Sequence, residues 1–282
     1  MIEVVRAGAL TTVQDLGRPG WAHLGVPHAG ALDRPALRLA NRLAGNADDA
    51  AALETTLTGC AVRLRTAGTV AVTGASATVW VAGRPAAFAA AVPVPAGAVV
   101  ELGPAEYGVR SYLAVAGGIA VEPVLGSRSA DTLAGLGPPP LRAGDTLPLG
   151  PPPTAPSPAD AVPVTAPPDE VRLRLILGPR DEWFTAEAVA TLLGAAYTVS
   201  PVSNRVAARL SGPPLTRARG GELPSEGVVL GAVQVPGDGR PLVFLADHPT
   251  TGGYPVIGVV GDVTPLAQAR PGTTVRFHGP QR

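Results

Sequence analysis

Apolar residues along this chain come in short runs, and nearly every run is bounded by Gly or Pro. Runs of that length read as buried strands rather than helices. They fall at residues 2–5, 62–64, 69–72, 78–81, 98–102 and 111–115, and then at 171–177, 228–235, 242–246, 256–260 and 274–277. The first is expected to lie at a sheet edge. Residues 11–30 lack either period and read as a Gly-rich loop. Two stretches read as helices. The first has Asp33 as its cap, Pro35 in its first turn, Leu32, Ala36, Leu39, Ala40 and Leu43 on one face, and Gly45 past its end. Its expected job is to cover or plug a sheet. The second spans 185–193, capped by Thr185 and stopped at Gly194.

Many short strands with few helices predict a mainly β protein of closed or nearly closed barrels. Between Gly137 and Pro168 the chain places twelve prolines and little periodic hydrophobicity, which fits a polyproline-like connector. The expected division is an N-terminal barrel at 1–150, a Pro-rich linker at 151–169 and a C-terminal barrel at 170–282. An internal echo supports two similar halves: Leu141-Arg-Ala-Gly-Asp-Thr-Leu near the end of the first resembles Ala269-Arg-Pro-Gly-Thr-Thr-Val near the end of the second.

Composition narrows the chemistry. Aromatics make up only 4% of the 282 residues, so the core is built from Val, Leu and Ala. Lys plus Arg balance Asp plus Glu at 22 each, leaving no electrostatic case for nucleic acid or an anionic membrane. No lysine occurs at all. That excludes a phosphate-loop ATPase using its lysine, a Schiff-base enzyme and a carrier with biotin on lysine. A lone cysteine, Cys60, forms no internal disulfide, and the first residues lack a secretory pattern, so a cytoplasmic protein is expected.

Candidate chemistry concentrates in the second half. The run at 242–246 hands Asp247 and His248 to a loop with Thr250, Thr251, Gly252, Gly253 and Tyr254; the glycines allow close approach of a ligand to the backbone. The plainer alternative is a turn that Asp247 caps itself. Ser203, Asn204, Arg205, Glu222, Glu226 and Gln234 sit beside other strand ends or turns. An arginine opposite carboxylates can clamp an anionic substrate while an acid handles a proton; equally, Arg205 and Glu226 form a structural pair pinning two loops. Asp247, Glu226 and Arg205 are the candidate catalytic residues, with Asn204, Gln234 and the loop from His248 to Tyr254 as substrate contacts. His23 and His28 share a loop without a third ligand nearby, so no metal is expected.

Several motifs resemble those of a known family. These are Gln14-Asp-Leu-Gly-Arg-Pro-Gly, Gly25-Val-Pro, Gly30-Ala-Leu-Asp33, Ala40-Asn-Arg-Leu-Ala-Gly-Asn46, Leu53-Glu-Thr-Thr-Leu-Thr-Gly59, Ser203-Asn-Arg205, Arg209-Leu-Ser-Gly212, Gln234-Val-Pro236 and Ala246-Asp-His-Pro-Thr-Thr-Gly-Gly-Tyr-Pro255. In order and over nearly the whole chain they resemble the family of the 5-oxoprolinase C subunit, which takes in KipA, allophanate hydrolase subunit 2-like proteins and the biotin-dependent carboxyltransferase half of urea amidolyase. The resemblance implies two cyclophilin-like β barrels with a few short helices. It also implies action with the A and B subunits of 5-oxoprolinase, the B subunit being KipI-like, to open 5-oxo-L-proline to L-glutamate at the expense of ATP used by the complex. Biotin enters only under the alternative of carboxyl transfer to a urea-like amide. A second alternative is a KipA-like regulator that binds a kinase inhibitor and has no catalysis of its own. Gln14, Asp15, Arg18 and Asp33 match the family motif as supporting residues, or equally as stabilisers of the loop around the first helix. Two departures stand out: Val206-Ala207 replaces a common Met-Gly, and His28-Ala29-Gly30 replaces Arg-Ser-Gly, so position 29 carries no hydroxyl.

Overall fold

The computed structural model describes residues 1–152, 162–163, 166–221 and 223–279. Most of the expected Pro-rich connector and Glu222 lie outside the described residues. The chain divides into two compact units, Met1–Arg18 with Ala29–Pro167, and Pro19–His28 with Pro168–Arg282. The stretch Pro19–His28 therefore groups with the second unit, which a division at 150 and 170 does not provide for. Among the described residues no helix is long and apolar enough to cross a membrane.

In the first unit the strands are β1 (Ile2–Arg6), β2 (Thr11–Gln14), β3 (Ala52–Thr56), β4 (Ala61–Leu64), β5 (Gly68–Gly74), β6 (Ala77–Val81), β7 (Arg84–Ala86), β8 (Val92–Val94), β9 (Val99–Ala105), β10 (Arg110–Val115) and β11 (Thr146–Leu147). They form a six-stranded sheet, β11-β1-β4-β9-β6-β7, and a five-stranded sheet, β2-β3-β10-β5-β8. Two expectations are corrected here. β1 is no edge, because β11 and β4 flank it, and Thr11–Gln14 is a fully buried strand rather than loop. Alternation explains the layering. Leu53, Val70, Val72, Leu113 and Val115 face the first sheet and share a core with Ile2, Val62, Val100 and Leu102. Their neighbours Ala52, Ala71, Tyr112 and Ala114 point the other way, against a helix.

That helix, α1 (Arg34–Leu43), has the expected cap: Ala36 N–H donates to Asp33 Oδ1 at 3.0 Å, with a Pro in the first turn. Its buried face is Ala36, Leu37, Ala40, Asn41 and Leu43, so the small alanines let it lie close to the alanine stripe of the sheet. Each leucine buried there stabilises the unit by about 1.5–3 kcal/mol.

In the second unit come β12 (Glu170–Leu177), α2 (Ala186–Gly194), β13 (Tyr197–Val199), β14 (Ala207–Ser211), β15 (Glu226–Gly227), β16 (Ala232–Gln234), β17 (Leu242–Phe244), β18 (Thr251–Gly252), β19 (Val256–Val260), α3 (Thr264–Ala267) and β20 (Thr274–His278). Seven of the strands close a barrel in the order β12-β19-β16-β17-β14-β13-β20. The apolar stretch 228–235 is not one strand. Gly231, with φ +80°, breaks it, and only Ala232–Gln234 joins the barrel. Register then sorts the faces. Val171, Leu173 and Leu175 alternate with exposed Arg172 and Arg174, and Leu173 pairs with Phe277, so this set fills the interior. Val233, Val243 and Ala208 pair across the sheet on that same inner side. Ala207, Ala232, Leu242, Phe244 and Val256 face outward and form a separate buried cluster with Val228, beside the ribbon β15–β18.

The sequence echo has a local counterpart. Asp145 N–H donates to Arg142 O and Thr273 N–H to Arg270 O, each turn carrying a glycine, Gly144 or Gly272, at positive φ.

Candidate functional site

The loop between β17 and β19 starts at one end of β17 and returns at the other. At its start His248 N–H donates to Leu245 O at 3.1 Å, closing a turn that holds Asp247. Arg205 precedes β14, whose Ala207 is the register partner of Phe244, so Arg205 arrives at the same end. Its Nε donates to Asp247 Oδ2 at 2.9 Å and its Nη2 to Oδ1 at 2.8 Å, with side-chain exposures of 2% and 0%. This fork is the strong bidentate geometry of guanidinium and carboxylate, turned inward rather than toward solvent. Asn204 Oδ1 accepts from Val206 N–H at 2.8 Å and Ala207 N–H at 3.2 Å, a turn that fixes the approach to Arg205. His248 Nδ1 lies 2.7 Å from Pro249 O; a carbonyl only accepts, so the ring proton sits on that nitrogen.

Gln234 belongs to the opposite end of β17, being the register partner of Leu242. Its Nε2 donates to Tyr254 O at 3.0 Å. A Cβ at Gly252 would lie 2.6 Å from that nitrogen, so glycine is what lets the loop pack on the carboxamide. The expected gathering of Arg205, Asp247 and Gln234 at one barrel rim is thus replaced by two clusters, one at each end of a strand.

Glu226 sits in β15 as the register partner of Gly252. The Arg205–Glu226 pair considered from sequence does not form. Glu226 instead receives Arg180, whose Nε lies 2.9 Å from Oε1 and 3.0 Å from Oε2, with a further bond from Nη2 to Oε1. Those hydrogen bonds hold the Glu226 carboxyl below its usual range and raise Arg180. Thr250 O accepts from Val228 N–H at 3.0 Å, and Thr251 and Gly252 form β18. Tyr254 is half exposed, and Arg217 places its Cζ 6.0 Å from the ring centroid. Neither Arg180 nor Arg217 was singled out in the sequence, because each follows a turn with no motif around it.

The supporting residues of the first unit form a second polar system. Asp15 Oδ1 accepts from Ser127 Oγ at 2.6 Å, Ser129 Oγ at 2.5 Å and Gly17 N–H at 2.8 Å, while Oδ2 accepts from Arg128 N–H at 2.6 Å. Arg18 donates from Nη2 to Ser129 O and from Nε to Val124 O at 3.3 Å. Gln14 Nε2 donates to Ala130 O at 3.0 Å. These residues tie the loop before α1 to the segment 124–130. Sequence reading missed what Asp33 leads to: its N–H donates to Tyr112 Oη at 2.8 Å, and Tyr112 donates to Glu54 Oε2 at 2.7 Å. Glu54 is 1% exposed, with Arg110 Nε 3.7 Å from its Oε1. A carboxylate inside the strand Ala52–Thr56 was the available signal, since a charge there needs partners.

In the second unit a cavity of about 160 Å³ opens between residues such as Ser200, Arg209, Asp238 and Arg240. None of the expected site residues lines it.

This two-unit β architecture, with its motif loops in these places, is that of a carboxyltransferase domain. Residues 24–279 match the family described as carboxyltransferase domain, subdomain A and B, and the chain belongs to that family. Within it the sequence is 40% identical to the C subunit of 5-oxoprolinase from Escherichia coli K12, over 98% of this chain and 90% of that protein. It is 32% identical to the corresponding 5-oxoprolinase protein of Haemophilus influenzae over the same shares. Urea amidolyase of Lachancea kluyveri is 33% identical over 98% of this chain, but the match covers 17% of that longer protein. Among solved structures, TTHA0988 superposes with TM-score 0.88 at 39% identity, covering 98% of this chain and 55% of that one. The K. lactis urea amidolyase superposes with TM-score 0.90 at 30% identity, covering 98% of this chain and 18% of that one. The chain therefore spans about half the length of TTHA0988 and nearly all of the two 5-oxoprolinase relatives.

Proposed function

We propose that this chain is the C subunit of an ATP-dependent 5-oxoprolinase and acts with the A and B subunits to convert 5-oxo-L-proline to L-glutamate. The carrying observation is the 40% identity with the E. coli relative, which extends over 90% of that protein rather than a fragment of it. A separate subunit is the natural unit of comparison.

The chemical difficulty is a resonance-stabilised ring amide, a poor electrophile. Transfer of the γ-phosphoryl group of ATP to its oxygen, with ADP released, activates it; one water adds at the ring carbon, the ring C–N bond breaks as the nitrogen takes a proton, and a second water cleaves the resulting acyl phosphate to give the carboxylate and phosphate. The residues of this chain do not fit ATP as a phosphate-loop ligand or biotin as an attached group, since no lysine is present. Nucleotide handling is assigned to the partner subunits. In this reading the Arg205–Asp247 pair holds the start of the loop in place. Glu226, kept ionised by Arg180, is the carboxylate that takes the amide proton as the oxygen is phosphorylated and returns it to the ring nitrogen as the C–N bond breaks. The loop from Thr250 to Tyr254 contacts substrate.

Reconstitution tests this. With A and B subunits present, addition of this chain is expected to bring 5-oxoproline-dependent glutamate release and ATP turnover; rates indifferent to the chain reject the assignment. The second reading, carboxyl transfer to a urea-like amide, is favoured by the urea amidolyase relatives alone. It predicts urea carboxylation when a carboxybiotin carrier is supplied on another chain.

A further inference from the structure

Arg205 was the arginine expected to meet an anionic substrate, yet its fork is turned onto Asp247. The Gly252–Tyr254 loop has another cation beside it. Arg217 is fixed at both its backbone and its side chain. Its backbone pairs with Phe184 in an isolated bridge, and the next residue, Ala218, donates from N–H to Trp183 O at 2.8 Å. Its Nη2 donates to Val235 O at 2.9 Å, and its Cζ lies 6.0 Å from the Tyr254 ring centroid. Val235 also donates to Pro255 O at 3.1 Å, and the preceding Gln234 holds Tyr254 O, so one strand end positions both the guanidinium and the loop.

Among the described residues Arg217 has no carboxylate within ion-pairing distance, and its Nε is buried without a hydrogen-bond partner. The neighbouring carboxylate, Glu226 opposite Gly252, is taken by Arg180. A guanidinium preorganised by Val235, with no carboxylate at ion-pairing distance among the described residues, beside a half-exposed aromatic ring suits a small planar anion, because a carboxylate matches guanidinium geometry while the ring covers apolar carbon.

We infer that Arg217 and Tyr254 form the subsite for the carboxylate of a small cyclic substrate, with the Gln234-anchored loop setting its position. The identity of that substrate as 5-oxo-L-proline rests on the function proposed above; the anion site itself rests on the geometry. Arg217 is thereby a specificity residue.

The test uses two probes on the full chain assembled with its A and B subunits: 5-oxo-L-proline, and 2-pyrrolidinone, the same lactam without the carboxylate. Affinities are measured by calorimetric titration and turnover by glutamate release. Arg217→Gln is expected to weaken 5-oxo-L-proline binding and raise its KM by about 10- to 100-fold, the range for loss of a charge-assisted contact. Affinity for 2-pyrrolidinone stays unchanged, and Arg217→Lys restores part of the loss. Tyr254→Ala, at an exposed position, gives a smaller loss in the same direction and guards against misfolding of the first variant. Equal 5-oxo-L-proline affinity in wild type and both variants overturns the subsite. So does equal loss for both probes, which marks a merely structural residue. If the wild-type complex binds 5-oxo-L-proline through Arg217 but releases no glutamate, the subsite stands and the 5-oxoprolinase reading falls. If turnover is normal and Arg217→Gln leaves KM unmoved, the reading stands and the subsite falls.

Discussion

Arg205 and Asp247 stand 42 positions apart and meet as a two-point ion pair inside the second unit, at 2.9 and 2.8 Å. The backbone repeats the link, Asp247 N–H donating to Arg205 O at 3.1 Å. Removing one partner takes a two-point ion pair away from a buried charge, at a cost of about 3–5 kcal/mol. Arg205→Met and Asp247→Leu are each expected to lower the urea midpoint strongly, and the double variant to lose much less than the sum. Additive losses in such a double-mutant cycle contradict a coupled pair.

Two glycines of the same unit predict different costs. At Gly231 a Cβ would collide with Val260 O, on the backbone of the paired strand, and φ is +80°. At Gly252 the obstacle is the end of the Gln234 side chain. Gly252→Ala should therefore cost about 1 kcal/mol, the worth of the Gln234–Tyr254 hydrogen bond. Gly231→Ala should exceed that, since left-handed strain alone adds roughly 1–2 kcal/mol before any clash. Denaturant unfolding of both variants checks the order, and the reverse order is inconsistent with the packing described.

Tyr112 makes a pH prediction. Burial pushes its phenol well above the usual range, and the Glu54 and Asp33 carboxylates push it the same way. A proton held more tightly in the folded state stabilises fully below the unfolded tyrosine value of about 10 and is lost as pH climbs from there toward the folded value. Stability should fall above that point, with phenolate absorbance from Tyr112 appearing together with unfolding. In Tyr112→Phe that coincident step disappears. The variant is also less stable at neutral pH by about 1–3 kcal/mol, because Glu54 and the Asp33 N–H lose a shared partner.

Cys60 lies wholly inside the first core, and burial raises its thiol to about 11. A thiol reagent at pH 8 should label it only as fast as the unit unfolds, and at once in denaturant. Rapid stoichiometric labelling of the native protein contradicts this burial.

Sequence alone determined the strand cadence, the Asp33 and Thr185 caps and the family motifs, because each is written within a few neighbouring residues. Thr11–Gln14 shows the limit of that reading: its four buried residues alternate too weakly to announce a strand, and pairing with β3 makes it one. Likewise an apolar run such as 228–235 carries no mark of where Gly231 will break it. Which charges meet was decided only in three dimensions. Arg205 found Asp247 and Arg180 found Glu226, 46 positions away, because barrel closure and strand register bring those ends together. Composition supplies charges in equal number; only the fold chooses between partners, and it set Arg205 on the Asp247 carboxylate while placing Arg217 beside the loop that the motifs had marked.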